Sequence, residues 1–230
     1  RKGVPYSVII ESDQPLGATM AHYDFGNAIG DSFTERLSAS WNFARVQREP
    51  GGVMDFIVFY NPSAFQVDVT LTAYQTGRAP VSSTQTVGAL RRGGFSITDM
   101  PELPLGVFSV VLTAKATNPS NQPAFEGVVA SLSHYSADGS AGFGLLGDPD
   151  GGGSSGAITN MFQGQFSRSE AVLFNPGNAA ATVTITGSYM RTTLPEFSRT
   201  FDIAPGGQVV LTSADFALIN DQPVGLRYTS

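Results

Sequence analysis

An all-β fold, arranged as two tandem antiparallel β-sandwiches, is what this sequence predicts, and three observations carry the prediction. Apolar residues alternate with polar ones at period two along short runs rich in Val, Ile, Thr, Phe and Tyr. Asn-Pro and Gly-Gly pairs punctuate those runs. One ordered set of motifs occurs twice, its copies roughly 112–114 residues apart.

The elements follow in order. Tyr6–Glu11 and Leu16–Tyr23 read as a strand pair, and Trp41-Asn42-Phe43 as the start of the next strand. Phe56–Tyr60 runs to the Asn61-Pro62 turn, and Gln66–Tyr74 follows with Val67, Val69, Leu71 and Ala73 inward. Gly93-Gly94 reads as a turn, then Val107–Ala114 and Gly127–Tyr135 as strands. Thr182–Tyr189, Phe197–Ile203 and Val224–Thr229 complete the series, with turns at Asn175-Pro176-Gly177 and Pro205-Gly206-Gly207. Only Ser213–Ile219 offers a short helical turn, capped by Ser213. A single large barrel is the alternative architecture.

The repeat pairs Phe59-Tyr60-Asn61-Pro62 with Leu173-Phe174-Asn175-Pro176, and Met20-Ala21-His22-Tyr23 with Leu132-Ser133-His134-Tyr135. Tyr60 or Phe59, and Phe174, ahead of the two Asn-Pro turns, are expected in the core, with the Asn side chain closing each turn. This register divides the chain into an N-terminal strand pair and loop (1–38), a first sandwich (39–137), a Gly/Ser-rich loop (138–157) and a second sandwich (158–230) lacking its last strand. A rival register matches Asp13-Gln14-Pro15-Leu16-Gly17 to Asp221-Gln222-Pro223-Val224-Gly225. The favoured one keeps the spacing from the Gly-Gly turn.

Composition narrows the function. The formal charge is −6 with 13 Lys+Arg against 19 Asp+Glu, so no basic stripe exists for a phosphate backbone and nucleic acid is not an expected partner. With 0 Cys, thiolate metal sites, disulfides and thiol catalysis are impossible. No apolar run reaches the roughly 18 residues of a membrane helix, so membrane insertion of this segment is not expected. Arg1-Lys2-Gly3-Val4-Pro5 reads as the start of a processed or excised piece.

Ser7-Val8-Ile9-Ile10-Glu11-Ser12-Asp13-Gln14-Pro15, Trp41-Asn42-Phe43-Ala44 and the Asn-Pro turns with Val-x-Val-x-Leu resemble the tandem immunoglobulin-like modules of bacterial cell-surface and secreted proteins. The chain departs from that pattern at Arg45-Val46, where an acidic step is usual, and at Met161-Phe162-Gln163, which lacks the Trp. The resemblance implies immunoglobulin-like sandwiches, an extracellular or bacterial cell-surface location, a structural or adhesive role, and no catalytic residues.

Chemistry-bearing residues are sparse. His22 and His134 sit at equivalent repeat positions, which reads as one structural slot used twice. Gly152-Gly153-Ser154-Ser155-Gly156 matches a G-x-S-x-G string without the strand-to-helix context a nucleophile elbow needs. Asp148-Pro149-Asp150-Gly151 resembles the opening of a calcium loop, but Thr159 stands where the bidentate Glu belongs. Asp138, Asp148 and Asp150 are therefore the candidate calcium ligands, with Asp24, Asp31 and Glu35 in the corresponding N-terminal loop. Phe56, Phe95, Phe108 and Phe125 read as core residues on strands, and Trp41 as core rather than a sugar platform.

The expected function is that of a non-enzymatic repeat unit without cofactor, partnered by itself or by other surface components. The alternative is a glycan- or calcium-binding adhesion module. The permuted phase points to assembly, since Leu16–Tyr23, with Leu16, Ala18, Met20 and His22 as the assembly residues, is a spare copy of the strand the second sandwich lacks. Head-to-tail strand donation into a filament is one corresponding expectation, and a trimmed piece of a longer array, its missing strand just beyond Ser230, is the other.

Overall fold

The computed structural model describes residues 7–165, 169–191, 193–216 and 218–230. The chain is nearly all β and every strand pairing is antiparallel. It divides into two compact units, Arg1–Ala73 with Ala79–Asp150, and Tyr74–Arg78 with Gly151–Ser230.

The first unit carries β1 (Thr19–Asp24), β2 (Asn27–Ser32), β3 (Ser40–Arg48), β4 (Val53–Asn61), β5 (Val67–Tyr74), β6 (Val81–Val87), β7 (Arg91–Ser96), β8 (Gly106–Ala116), β9 (Val129–Ser136), β10 (Gly142–Leu146) and β11 (Asp148–Pro149). Two sheets, β11-β3-β8-β5-β6 and β10-β9-β4-β7, enclose one core, and β1-β2 forms a separate hairpin. The second unit carries β12 (Ser155–Met161), β13 (Glu170–Phe174), β14 (Ala181–Tyr189), β15 (Phe197–Ile203), β16 (Gln208–Thr212) and β17 (Val224–Thr229). Its sheets are β12-β17-β14-β15 and β13-β16.

Alternation explains the strongest strands. Along β5, Val67, Val69, Leu71 and Ala73 are buried while the intervening side chains reach solvent. That outer face is tied by cross-strand pairs, Thr70 with Thr84 at 2.8 Å and Asp68 accepting from Thr86 at 2.7 Å. The second unit repeats the device, Thr184 with Thr200 at 3.2 Å and Asp202 accepting from Thr182 at 2.7 Å. A bulge interrupts β3–β8 between Phe43 and Val46, and another interrupts β12–β17 between Ile158 and Met161. β12, β17, β14, β15, β13 and β16 thus stand in the same order as β3, β8, β5, β6, β4 and β7.

The Asn-Pro turns are built alike. Asn61 donates to the carbonyls of Phe65 and Gly88 and accepts from the Ser63 amide. Asn175 donates to the carbonyls of Ala179 and Ile203 and accepts from the Gly177 amide. Both side chains are buried, and each closes its turn with three hydrogen bonds to the main chain.

Several expectations are corrected. Residues 7–11 form no strand: Val8, Ile9 and Ile10 stand exposed and have no ladder partner among the described residues, and Tyr6 lies outside them. The N-terminal pair is instead β1 with β2. Gly93 and Gly94 lie inside β7 rather than in a turn, because the Phe59 ring occupies the space a Cβ on Gly93 would need. The stretch 138–157 is not all loop; it holds β10, β11 and the start of β12. Ser213 opens a turn rather than a helix, its hydroxyl held by Gln163, and Ala217 lies outside the described residues. Phe125 follows a 3₁₀ turn instead of sitting in a strand, though it packs against the core. Phe174 is only half-buried; Leu173 is the residue matching the buried Phe59.

Candidate functional site

The two smaller sheets differ in one respect. In the first unit β4 lies between β7 and β9, and the inward row at β9, Val128, Ala130, Leu132 and His134, is buried. In the second unit β13 pairs with β16, and no described strand lies on its other side. The consequence appears in the core beneath. Ile57 and Phe59 of β4 are 0% and 2% exposed, whereas Ala171 and Leu173 of β13 are half-buried. A sheet edge that ends over apolar side chains is a template for another strand.

Of the sequence-predicted assembly residues, Met20 and His22 lie on β1 of the N-terminal hairpin, and Leu16 and Ala18 precede it. Leu16 and Met20 are 55% and 43% exposed, Ala18 is half-buried and His22 is exposed. β1 pairs with β2 on one side only among the described residues. β2 holds the hairpin to the first unit through the buried Ile29, and at the turn Phe25 stacks on Phe56 and meets Tyr135 edge-on at 5.1 Å. Asp31, on β2, is partly buried there, which raises its carboxyl above the usual range against the opposing hydrogen bonds from Ser32 and Ser131.

His22 and His134 occupy matching positions in different surroundings. The His134 Nδ1 lies 2.5 Å from the Asp55 carboxylate, and its ring stacks on Phe143 at 4.6 Å. His22 faces solvent, 3.6 Å from Asp24. No hydroxyl nucleophile is bonded to either histidine in the described hydrogen bonds. Gly152 and Ser154 lie in the turn leading to β12, with Gly156 inside that strand.

Among the candidate calcium ligands, the Asp24, Asp31, Asp138 and Asp150 carboxylates each accept hydrogen bonds from protein. Asp150 accepts from the Ser38 hydroxyl at 2.6 Å and from Arg36 at 3.0 Å, and these bonds hold its carboxyl below the usual range. Asp138 accepts from the Ser140 amide at 2.9 Å and is lowered in the same direction. The main-chain carbonyl of Asp148 accepts from Asn42. Asp24 accepts from the Phe25 amide. Among the described residues, no group of three His, Cys, Asp or Glu is placed to hold a metal ion. Trp41 is 2% exposed and donates its indole N–H to the Val128 carbonyl, so it presents no ring to a sugar. Among the described residues no helix is long and apolar enough to cross a membrane.

What sequence reasoning missed is β2 and Phe25. Asn27–Ser32 carries one apolar inward residue, Ile29, and is too polar to read as a strand by periodicity. Phe25-Gly26 was the available signal: Phe25 takes φ 49° and Gly26 φ 77° in the hairpin turn.

No family model and no curated protein matches this chain. Solved structures similar to parts of it include the following two. The structure of Thermotoga maritima 1070 matches 52% of this chain and 100% of its own, at 11% identity and a TM-score of 0.41. The Anabaena sensory rhodopsin transducer matches 43% of this chain and 97% of its own, at 19% identity and a TM-score of 0.33. Likeness at this level assigns neither a fold family nor an activity.

Proposed function

We propose that this chain is a non-enzymatic structural building block of a bacterial surface or extracellular protein, made of two immunoglobulin-like sandwiches and joined to its neighbours through a sheet edge. The observation that supports the reading is the second unit's two-stranded sheet, β13-β16, ending over the half-buried Ala171 and Leu173. A strand added along β13 satisfies main-chain groups and covers those side chains together, which is how strand addition gains both affinity and register. Among the described residues, His134 and His22 are each paired with an aspartate and not with a hydroxyl nucleophile, which favours a structural role over a catalytic one.

The test is sedimentation velocity across a wide concentration range, on the intact chain and on Val172→Lys. Val172 alternates with the inward Ala171 and Leu173, so a charge there faces outward along the edge and opposes strand addition while sparing the core. Concentration-dependent growth of the intact chain, lost in the variant, supports the reading. A strict monomer at all concentrations overturns it.

A further inference from the structure

We infer that the occupant of the open β13 edge is the N-terminal hairpin of a second copy of this chain, entering through β1; this rests on the assembly reading above and names its partner.

Three observations carry it. First, the residues match. Leu16, Ala18, Met20 and His22 repeat Val128, Ala130, Leu132 and His134 at one constant spacing, and the latter four form the buried row at β9. Small, large and imidazole side chains therefore recur in the order that the sandwich interior accepts beside β4. Second, the topology matches. In the first unit the sheet runs β10-β9-β4-β7, with β9 and β10 a hairpin. β1 and β2 are also a hairpin, and Ile29 stands opposite His22 as Phe143 stands opposite His134. Adding the hairpin through the free side of β1 gives β2-β1-β13-β16, the same four-stranded order. Third, the surfaces to be joined are the exposed ones. Leu16 and Met20 are 55% and 43% exposed, and Ala171 and Leu173 are half-buried.

The β4–β9 register fixes the contact. Phe59 faces Ala130, Val58 faces Ser131 and Ile57 faces Leu132. Carried to the matching residues, Leu173 faces Ala18, Val172 faces Thr19 and Ala171 faces Met20. Met20 and His22 share the hairpin face of Ile29, which is buried against the hairpin's own unit. Donation therefore requires the hairpin to leave that surface, exchanging Ile29's contacts there for contacts with the acceptor. Phe25, packed on Phe56 and Tyr135, is the latch that opposes release.

The chain has no cysteine, so engineered pairs report without background. Two full-length single variants, Thr19→Cys and Val172→Cys, are mixed and oxidised; opposed residues of an antiparallel pair lie within disulfide reach. A mixed disulfide dimer is expected, and Phe25→Ala in the donor should raise its rate several-fold. The control pair Ala21→Cys with Val172→Cys, displaced by two residues on the same face, should cross-link at least tenfold less. The double variant Thr19→Cys/Val172→Cys should give a ladder of covalent oligomers. Two outcomes overturn the inference: no preference for Thr19 over Ala21, or a double variant that closes its disulfide within one chain. If neither pair cross-links yet the unmodified chain still assembles and Val172→Lys still blocks it, the donor is another segment and the edge reading survives.

Discussion

Asp55 and His134 face each other across β4 and β9 in the first unit, 2.5 Å apart, with side chains 0% and 6% exposed. Asp55 also accepts the Gln47 amide at 2.7 Å, so it joins β4 to β3 across the sandwich as well as to β9 along its sheet. A buried carboxylate is tolerated when its oxygens are engaged in this way. The pair thus ties the position of β9 to the core.

Removing the imidazole leaves Asp55 buried with one engagement lost. His134→Ala is expected to cost about 3–5 kcal/mol, the range for breaking a buried pair from one side. Urea titration followed by tryptophan fluorescence checks it, since Trp41 reports on the same unit and is the chain's one Trp. A loss below about 1 kcal/mol would mean that the pair does not hold β9.

Phe59→Ala and Leu173→Ala test the difference between the two small sheets. Phe59 is 2% exposed and its truncation should cost about 3–5 kcal/mol. Leu173 is half-buried, so in monomeric protein its truncation should fall below the roughly 2–5 kcal/mol typical of a fully buried Leu. Differential scanning calorimetry on dilute protein measures both. A Leu173 loss as large as that of Phe59 would show that the β13 edge is closed in the monomer.

How much of this was readable from the residues depends on where the signal was stored. β5, β14 and β15 were legible because an apolar inward row alternates with Thr, Ser and Asp outside, and β4 because it is a run of apolar and aromatic residues ending at Asn-Pro. The Asn-Pro turns were legible because the short Asn amide offers both an acceptor and a donor to close them. β7 and β10 were not, since Gly93, Gly94, Gly142 and Gly144 read as turns until the side chain or backbone against each is known. Gly144 is an instance: a Cβ there would stand 2.8 Å from the Gly30 carbonyl, so its hydrogen side chain is what lets β2 approach β10. The repeated row Leu16 to His22 was legible; the hairpin β1-β2 was not, because β2 is polar and Phe25 packs on rings far along the chain.

Asn61→Ala and Asn175→Ala should behave alike. Each removes two donated bonds and one accepted main-chain bond from a buried turn, with the Ser63 hydroxyl bond lost besides at Asn61, leaving main-chain carbonyls without their partner. The expected loss is about 1–3 kcal/mol at each site, the desolvation cost of groups left unsatisfied. Equilibrium denaturation of the two variants checks it. A near-zero effect at one site alone would show that the turns, though similar in geometry, are satisfied differently.

The last prediction concerns acid. Asp150 accepts from the Ser38 hydroxyl and from Arg36, and the Ser38 bond is the larger cause of its lowered carboxyl. A group whose folded value lies below its unfolded one, near 3.9 for Asp, stabilises the fold fully above that unfolded value. Its contribution fades as pH falls through the folded value and the carboxylate takes up a proton. Ser38 also accepts the Ser40 amide, so Asp150 braces the segment that enters β3. Asp150→Asn keeps the shape but loses the charge. Thermal melts from pH 7 down to pH 2 should therefore show wild type above the variant at neutral pH, with the gap narrowing below about pH 4. Added chelator should leave both melts unchanged, because the Asp150 oxygens are already held by Ser38 and Arg36. A gap that is constant across the range would remove the charge from the account, and a fall of several degrees on chelation would return Asp150 to the role of metal ligand.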